Sequence, residues 1–124
     1  MKVTEIAFAA YPVTDLLRAR NFYEQTLALA ASRVFGDDVN AWVEYDLGAN
    51  TLAISNMTPD WKPSGGGGSV ALEVEDMSAA VSRLKSDGHP PFFGPVETPV
   101  CYLAVVSDPD GNSVTIHQTK PAEL

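Results

Sequence analysis

Tyr11-Pro12-Val13-Thr14-Asp15-Leu16 carries an apolar run into the start of a helix, and Val74-Glu75-Asp76-Met77 repeats that step 61 residues later. In both copies a Val-x-Asp step follows a stretch of β-type residues and precedes a helical stripe. Asp15 or Thr14 is the expected N-cap of the first helix and Asp76 that of the second. The same offset equates Ala19 with Ala80 and Tyr23 with Leu84. The chain therefore reads as two copies of one strand–helix–strands unit. A single unit leaves a one-sided apolar sheet, and two units can cover that surface together.

Outward from the two steps, residues 3–11 form an apolar run without breakers and read as a buried strand, and Pro12 argues against further central-strand pairing. Leu16, Ala19, Phe22, Tyr23 and Leu27 keep helical spacing on one face. Residues 33–36 are a short strand candidate. Residues 41–47 and 50–55 are two more, joined through Gly48-Ala49 as a tight turn. Residues 56–68 hold Pro59, Pro63 and four consecutive glycines, Gly65 to Gly68, and read as a flexible connection or a flap over a site. The pattern then restarts. Residues 70–74 are a strand, and Met77, Ala80, Val81 and Leu84 are a helical stripe stopped by Gly88. Residues 91–96 hold at most a short strand. Residues 100–107 and 112–119 are strands that reverse through Asp108-Pro109-Asp110-Gly111. The expectation is one α+β domain over residues 1–124: module 1 at about 1–56, a linker at about 57–68 and module 2 at about 69–124.

Composition narrows the partners. With 124 residues, 45% of them hydrophobic, the chain can bury a core. Its net charge of −8 disfavours nucleic acid and anionic membrane surfaces, and favours neutral or cationic small molecules. Met1-Lys2-Val3-Thr4-Glu5 lacks the apolar run of a signal peptide, and no stretch is long and apolar enough to span a bilayer. A single cysteine, Cys101, cannot form an internal disulfide, so a reducing cytoplasm is expected.

Tyr11 to Leu16, Asn21-Phe22-Tyr23-Glu24, Val74 to Met77 and Val106-Ser107-Asp108-Pro109-Asp110-Gly111-Asn112 together resemble the vicinal oxygen chelate superfamily, the group of glyoxalases, bleomycin-resistance proteins and extradiol dioxygenases. The resemblance covers nearly the whole chain. It implies two βαβββ modules whose mixed sheet curls around a cavity, and a homodimer. It also implies four equivalent strand positions for metal ligands. Counting from the two Asp residues, these fall on Phe8, Ala53, Ser69 and Thr115. Phe, Ala, Ser and Thr do not supply the imidazole, thiolate or carboxylate donors of a divalent-metal site. The expectation is the family's cavity without its metal and without a cofactor.

Strand alternation then nominates the lining. Glu73 and His117 join Phe8, Ala53, Ser69 and Thr115, and pairing across Gly48-Ala49 sets Trp42 opposite Ser55, Glu44 opposite Ala53 and Asp46 opposite Thr51. His117 is a proton carrier or hydrogen-bond partner, with an ordinary pKa of about 6.5. Glu44 is either exposed at the rim or turned inward with a raised pKa, as a base or a cation anchor. Cys101 or Tyr102 could stand opposite His117, and a Cys101–His117 pair would be the best nucleophile in the chain. Trp42 could stack on a flat ligand, and Trp61 could close as a flap. Three functions remain open: a metal-independent binder of a small organic molecule resembling bleomycin-resistance proteins; a metal-independent lyase or isomerase using His117 with Glu44 or Cys101; and a metalloenzyme with displaced ligands Glu44, Glu73 and His117.

Overall fold

The computed structural model describes residues 2 and 4–121. The chain folds as two compact units that divide between Pro63 and Ser64, inside the expected linker. The first carries β1 (Ala9–Pro12), α1 (Leu16–Asn21), β2 (Arg33–Gly36), β3 (Ala41–Leu47) and β4 (Asn50–Ser55). The second carries β5 (Val70–Glu73), α2 (Met77–Ser86), β6 (Phe93–Glu97), β7 (Cys101–Ser107) and β8 (Ser113–Thr119). The strand orders are β1-β4-β3-β2 and β5-β8-β7-β6, so the sequence repeat is a repeat of topology. Each module lays its first strand parallel to its own last strand and runs the other neighbours antiparallel. The expected α+β architecture of two βαβββ modules is thus present, with one four-stranded mixed sheet in each module.

Both helices start where the Val-x-Asp steps place them. The Asp15 carboxylate accepts the N–H of Arg18 at 3.1 Å, and the Asp76 carboxylate that of Ala79 at 3.1 Å. The first helix widens after Asn21 into a π-helix at Phe22–Thr26, which keeps Phe22, Tyr23 and Thr26 all buried. It ends at Ala28, which adopts a φ of 59°. On β3 the residues Ala41, Val43 and Tyr45 are fully buried and alternate with Trp42, Glu44 and Asp46 on the opposite face. Tyr45 stacks on Tyr23 with ring centroids 6.2 Å apart. In the second unit Met77, Val81 and Leu84 of α2 are buried, as are Ala104, Val106, Val114 and Ile116 from alternate positions of β7 and β8.

Three local expectations change. The first strand is Ala9–Pro12 and not residues 3–11; Ile6 and Phe8 are exposed, and Val3 lies outside the described residues. Pro12 closes that strand by pairing with Ser55, which it can do because β1 is an edge strand where a missing N–H costs no ladder bond. The glycine-rich connection is tied down at its far end: the Ser64 N–H donates to Asn112 Oδ1 at 3.2 Å, and Ser113 Oγ donates to the Gly65 carbonyl at 3.0 Å. A Cβ on Gly65 would lie 3.0 Å from the Gly111 carbonyl oxygen, so a small residue suits that close approach. Trp61 sits in a turn closed by its N–H to the Thr58 carbonyl, with its ring partly exposed.

Candidate functional site

Each sheet has one face packed against its helix and one without a helix, and strand register decides which side chains occupy the second. In the first unit the Gly48-Ala49 turn sets Trp42↔Ser55, Glu44↔Ala53 and Asp46↔Thr51, the register expected from a two-residue connection. β1 adds Ala10 opposite Ala53, and β2 adds Arg33 opposite Glu44 and Phe35 opposite Trp42. Phe8 reaches this face from the segment before β1 and meets Trp42 edge-to-face, centroids 5.2 Å apart. Phe8, Ala53, Trp42 and Glu44 thus share one surface.

Charge on this face is internally paired. Arg33 Nε donates to Glu44 Oε1, and Arg33 Nη2 donates to Asp46 Oδ1 at 2.6 Å. The Trp42 indole N–H takes Glu44 Oε2 at 2.9 Å, and Thr51 Oγ1 donates to Asp46 Oδ1 at 3.0 Å. The Arg33 guanidinium, helped by the Trp42 N–H, holds the Glu44 carboxyl below the usual carboxylate range. Arg33 and then Thr51 do the same for Asp46. The alternative of a Glu44 base with a raised pKa is therefore corrected: both its oxygens accept bonds from donors, which favours the ionised form.

In the second unit the parallel β5–β8 ladder pairs Ala71 with Thr115 and Glu73 with His117. Glu73 Oε1 lies 2.6 Å from His117 Nδ1, and Glu73 Oε2 accepts the Thr119 N–H at 2.7 Å. The Thr119 N–H first, and His117 second, hold the Glu73 carboxyl below its ordinary range. Ser69 and Thr115 bond to each other through their hydroxyls at 2.8 Å.

Opposite His117 on β7 stands Leu103, and neither Cys101 nor Tyr102 does. The turn between β7 and β8 leaves residues 108–112 outside the ladder, so Ser107 pairs with Ser113 and Tyr102 falls opposite Gln118. Tyr102 is thereby on the helix side, in a groove of about 690 Å³ between α2 and β6. Cys101 keeps the face of His117 but pairs with Thr119, and its Sγ lies 3.1 Å from Thr98 Oγ1. The Cys101–His117 nucleophile is not assembled.

Arg33 and Phe35 belong to the first face and escaped the sequence reading, which named Asp46 only by its register with Thr51. Alternation from Glu44 was enough to find Asp46. Arg33 and Phe35 needed the β2–β3 register, which runs through the irregular residues 37–40. A groove of about 940 Å³ also lies on the helix side of this unit, beside Leu16, Arg20 and Glu24. Its Arg20 and Glu24 are paired with each other, Nε to Oε2 at 2.6 Å.

At the four positions that the sequence resemblance equates with metal ligands, Phe8 and Ala53 offer no donor atom, and the hydroxyls of Ser69 and Thr115 are bonded to each other. This donor set does not fit a divalent metal. Among the described residues no group of three or more His, Cys, Asp or Glu side chains is placed to hold one, which the displaced-ligand alternative requires. Nor, among them, is any helix long and apolar enough to cross a membrane.

Two βαβββ modules, each presenting a helix-free sheet face, define the architectural class. Residues 5–116 match the model of the Glyoxalase/Bleomycin resistance protein/Dioxygenase superfamily, and the chain belongs to that superfamily. Among solved structures it is similar to TnmS3, an antibiotic binding protein from Streptomyces sp. CB03234, at 25% identity and a TM-score of 0.78, covering 97% of this chain and 99% of that one. A glyoxalase/bleomycin resistance protein from Streptomyces sp. CB03234 is 27% identical, with a TM-score of 0.74 over 92% of this chain and 100% of that one. A putative glyoxalase family protein from Bacillus anthracis, at 17% identity, shares the fold with a TM-score of 0.77 over 97% and 98% of the two chains. No curated protein matches significantly.

Proposed function

We propose that this protein binds a small, flat organic molecule on a helix-free sheet face and does so without a metal. What supports the reading is the chemistry of the four positions that the resemblance equates with metal ligands, where an aromatic ring, a methyl group and two mutually bonded hydroxyls stand. What remains on the first sheet is an aromatic row: Phe8 and Trp42 in edge-to-face contact, with Phe35 across from Trp42. Phe8 is 50% and Phe35 56% exposed, so both rings have area left to bury against a ligand. The antibiotic-binding description of the similar Streptomyces protein supports the same class of partner. Homodimer formation belongs to this reading, and sedimentation of the purified protein reports it.

The test is calorimetric titration with a panel of aromatic antibiotics, run with and without EDTA. Saturable binding that EDTA leaves unchanged, and that weakens about tenfold in Trp42→Leu but not in Trp61→Leu, is the expected result. Absence of binding across the panel, or binding abolished by EDTA and restored by a divalent cation, overturns the reading.

A further inference from the structure

We infer that the Glu73–His117 pair is a fixed hydrogen-bond acceptor for a ligand hydroxyl, and that the second sheet's helix-free face takes phenols. The inference rests on the binding reading above and names the ligand chemistry for that face.

A carboxylate only accepts hydrogen bonds. Glu73 is locked in place by the Thr119 N–H on one oxygen at 2.7 Å, and its other oxygen lies 2.6 Å from His117 Nδ1. The hydrogen of the neutral ring therefore sits on Nδ1, which leaves Nε2 as a lone-pair acceptor. Among the described residues Nε2 has no hydrogen-bond partner, and the His117 side chain is 30% exposed. Glu73 acts through His117 as a positioning residue: it sets the tautomer and holds the ring plane.

The surroundings select what can meet that acceptor. Along β8 the neighbouring Thr115 hydroxyl bonds Ser69 Oγ at 2.8 Å. Across the sheet Leu103 opposes His117 and Val105 opposes Thr115, and β6 places Val96 beside Leu103 and Phe93 beside Val105. The face is thus an apolar strip bordered by the imidazole acceptor, whose direction the Glu73 carboxylate fixes, and by the Ser69 and Thr115 hydroxyls. A molecule that fills it needs a flat apolar body and a single strong donor at its edge. A phenol combines the two, and its acidic O–H is a better donor to imidazole than an aliphatic alcohol.

The experiment pairs 2-naphthol with 2-methoxynaphthalene, which has a similar ring but no donor, in titrations of the full-length protein. Binding of 2-naphthol about tenfold tighter than the ether is expected, with the ratio falling to about one in His117→Phe and dropping in Glu73→Ala. Nitrogen-15 shifts of the wild-type imidazoles should report the Nδ1–H tautomer for one histidine and lose it in Glu73→Ala. Equal affinity for the two probes, or an Nε2–H tautomer at His117, overturns the inference while leaving small-molecule binding intact. Tighter binding of 2-(aminomethyl)naphthalene than of 2-naphthol assigns the pair to an ammonium and overturns the phenol. If neither naphthalene probe nor any antibiotic of the panel binds, both readings fall. The wild-type measurements stand whether or not the variants fold.

Discussion

The indole N–H of Trp42 donates to Glu44 Oε2 at 2.9 Å while Arg33 donates to Glu44 Oε1. Trp42 and Arg33, from neighbouring strands β3 and β2, thus share the one carboxylate of Glu44. The arrangement has two consequences. Glu44 is held as an anion whose oxygens are occupied, so it serves the face as a clamp and not as a proton acceptor. The Trp42 ring is pinned at its nitrogen edge, and its contact with Phe8 at an interplanar angle of 86° keeps the aromatic row in one geometry. A ring held in this way loses less conformational freedom when a ligand stacks on it.

The acid response of the protein should follow from this cluster. Glu44 and Asp46 are both lowered by Arg33. A carboxyl whose folded pKa lies below its unfolded value contributes stability that is fully present above the unfolded value, near pH 4, and is lost as pH falls through the folded one. Stability should therefore decline as pH falls below about 4.5. Arg33→Met should flatten that decline, its difference from wild type shrinking as pH falls. Because the cluster is largely solvent-exposed, 0.5 M salt should shrink the difference between the two proteins. Thermal melts across pH 3–7 at two salt concentrations measure both effects.

Tyr45 makes the opposite kind of prediction. Its ring is fully buried against Tyr23, and its hydroxyl donates to Glu24 Oε2 at 2.9 Å. Burial first, and the Glu24 carboxylate second, push its hydroxyl well above the ordinary tyrosine range. A raised pKa on an acid adds stability that is present below the unfolded value, near pH 10, and is lost above it. Alkaline unfolding above about pH 10 should therefore be weakened in Tyr45→Phe. At pH 7 that variant should cost only about 1 kcal/mol, because Arg20 still bonds Glu24 at 2.6 Å. Tyr45→Ala should cost about 4 kcal/mol by opening a cavity beside Tyr23. Urea unfolding at pH 7 and pH 11 separates the two contributions.

How much of this was legible in the sequence depended on whether contacts were local. The Val-x-Asp steps foretold both helix caps, and the Gly48-Ala49 turn foretold the β3–β4 register, because an Asp-to-amide bond and a two-residue reversal are settled within a few residues. Glu73 and His117 were both recognised as residues of interest but not as partners. Their pairing is set by a parallel ladder spanning 44 residues, and no turn dictates that register. Tyr102 and Cys101 stayed ambiguous because five residues, not four, sit between the paired Ser107 and Ser113. One residue there reverses every face beyond it. The π-helical turn at Phe22–Thr26 was invisible for a different reason: its widening serves the burial of Phe22, Tyr23 and Thr26 together, a tertiary demand on an ordinary helical sequence.

Gly36 closes β2 in a conformation only glycine tolerates. Its φ is 130°, and a Cβ there would stand 2.3 Å from the Asn40 carbonyl oxygen and 2.8 Å from the Ala41 Cα, both backbone atoms. Gly36→Ala must therefore move the chain at the β2–β3 connection, at a cost of about 3 kcal/mol. Gly48 also has positive φ, 63°, but a Cβ there meets nothing within 4 Å. Gly48→Ala should cost about 1 kcal/mol, the conformational penalty alone. Urea midpoints of the two variants, with unchanged slope, distinguish crowding from backbone preference.

Asn112 links the turn before β8 to the glycine-rich connection. Its Nδ2 donates to Asp108 Oδ2 at 2.8 Å, its Oδ1 accepts the Ser64 N–H at 3.2 Å, and both Asn112 and Asp108 are buried. Asn112→Ala removes these side-chain bonds and should cost about 2–3 kcal/mol. Amide exchange should quicken at Ser64, whose N–H loses its acceptor, while the Asn112 N–H stays held by Asp108 Oδ1 at 2.9 Å. Asn112→Asp keeps an acceptor for Ser64 but sets a second carboxylate against Asp108 where a donor stood. Two buried carboxylates at that distance cannot both ionise without strong repulsion. Asn112→Asp should therefore be less stable than Asn112→Ala at pH 7 and recover on acidification to pH 5, where one of the pair takes a proton. Melts at the two pH values decide the point: an Asp variant that matches wild type at pH 7 would mean the Asn112 amide donor contributes nothing to the turn.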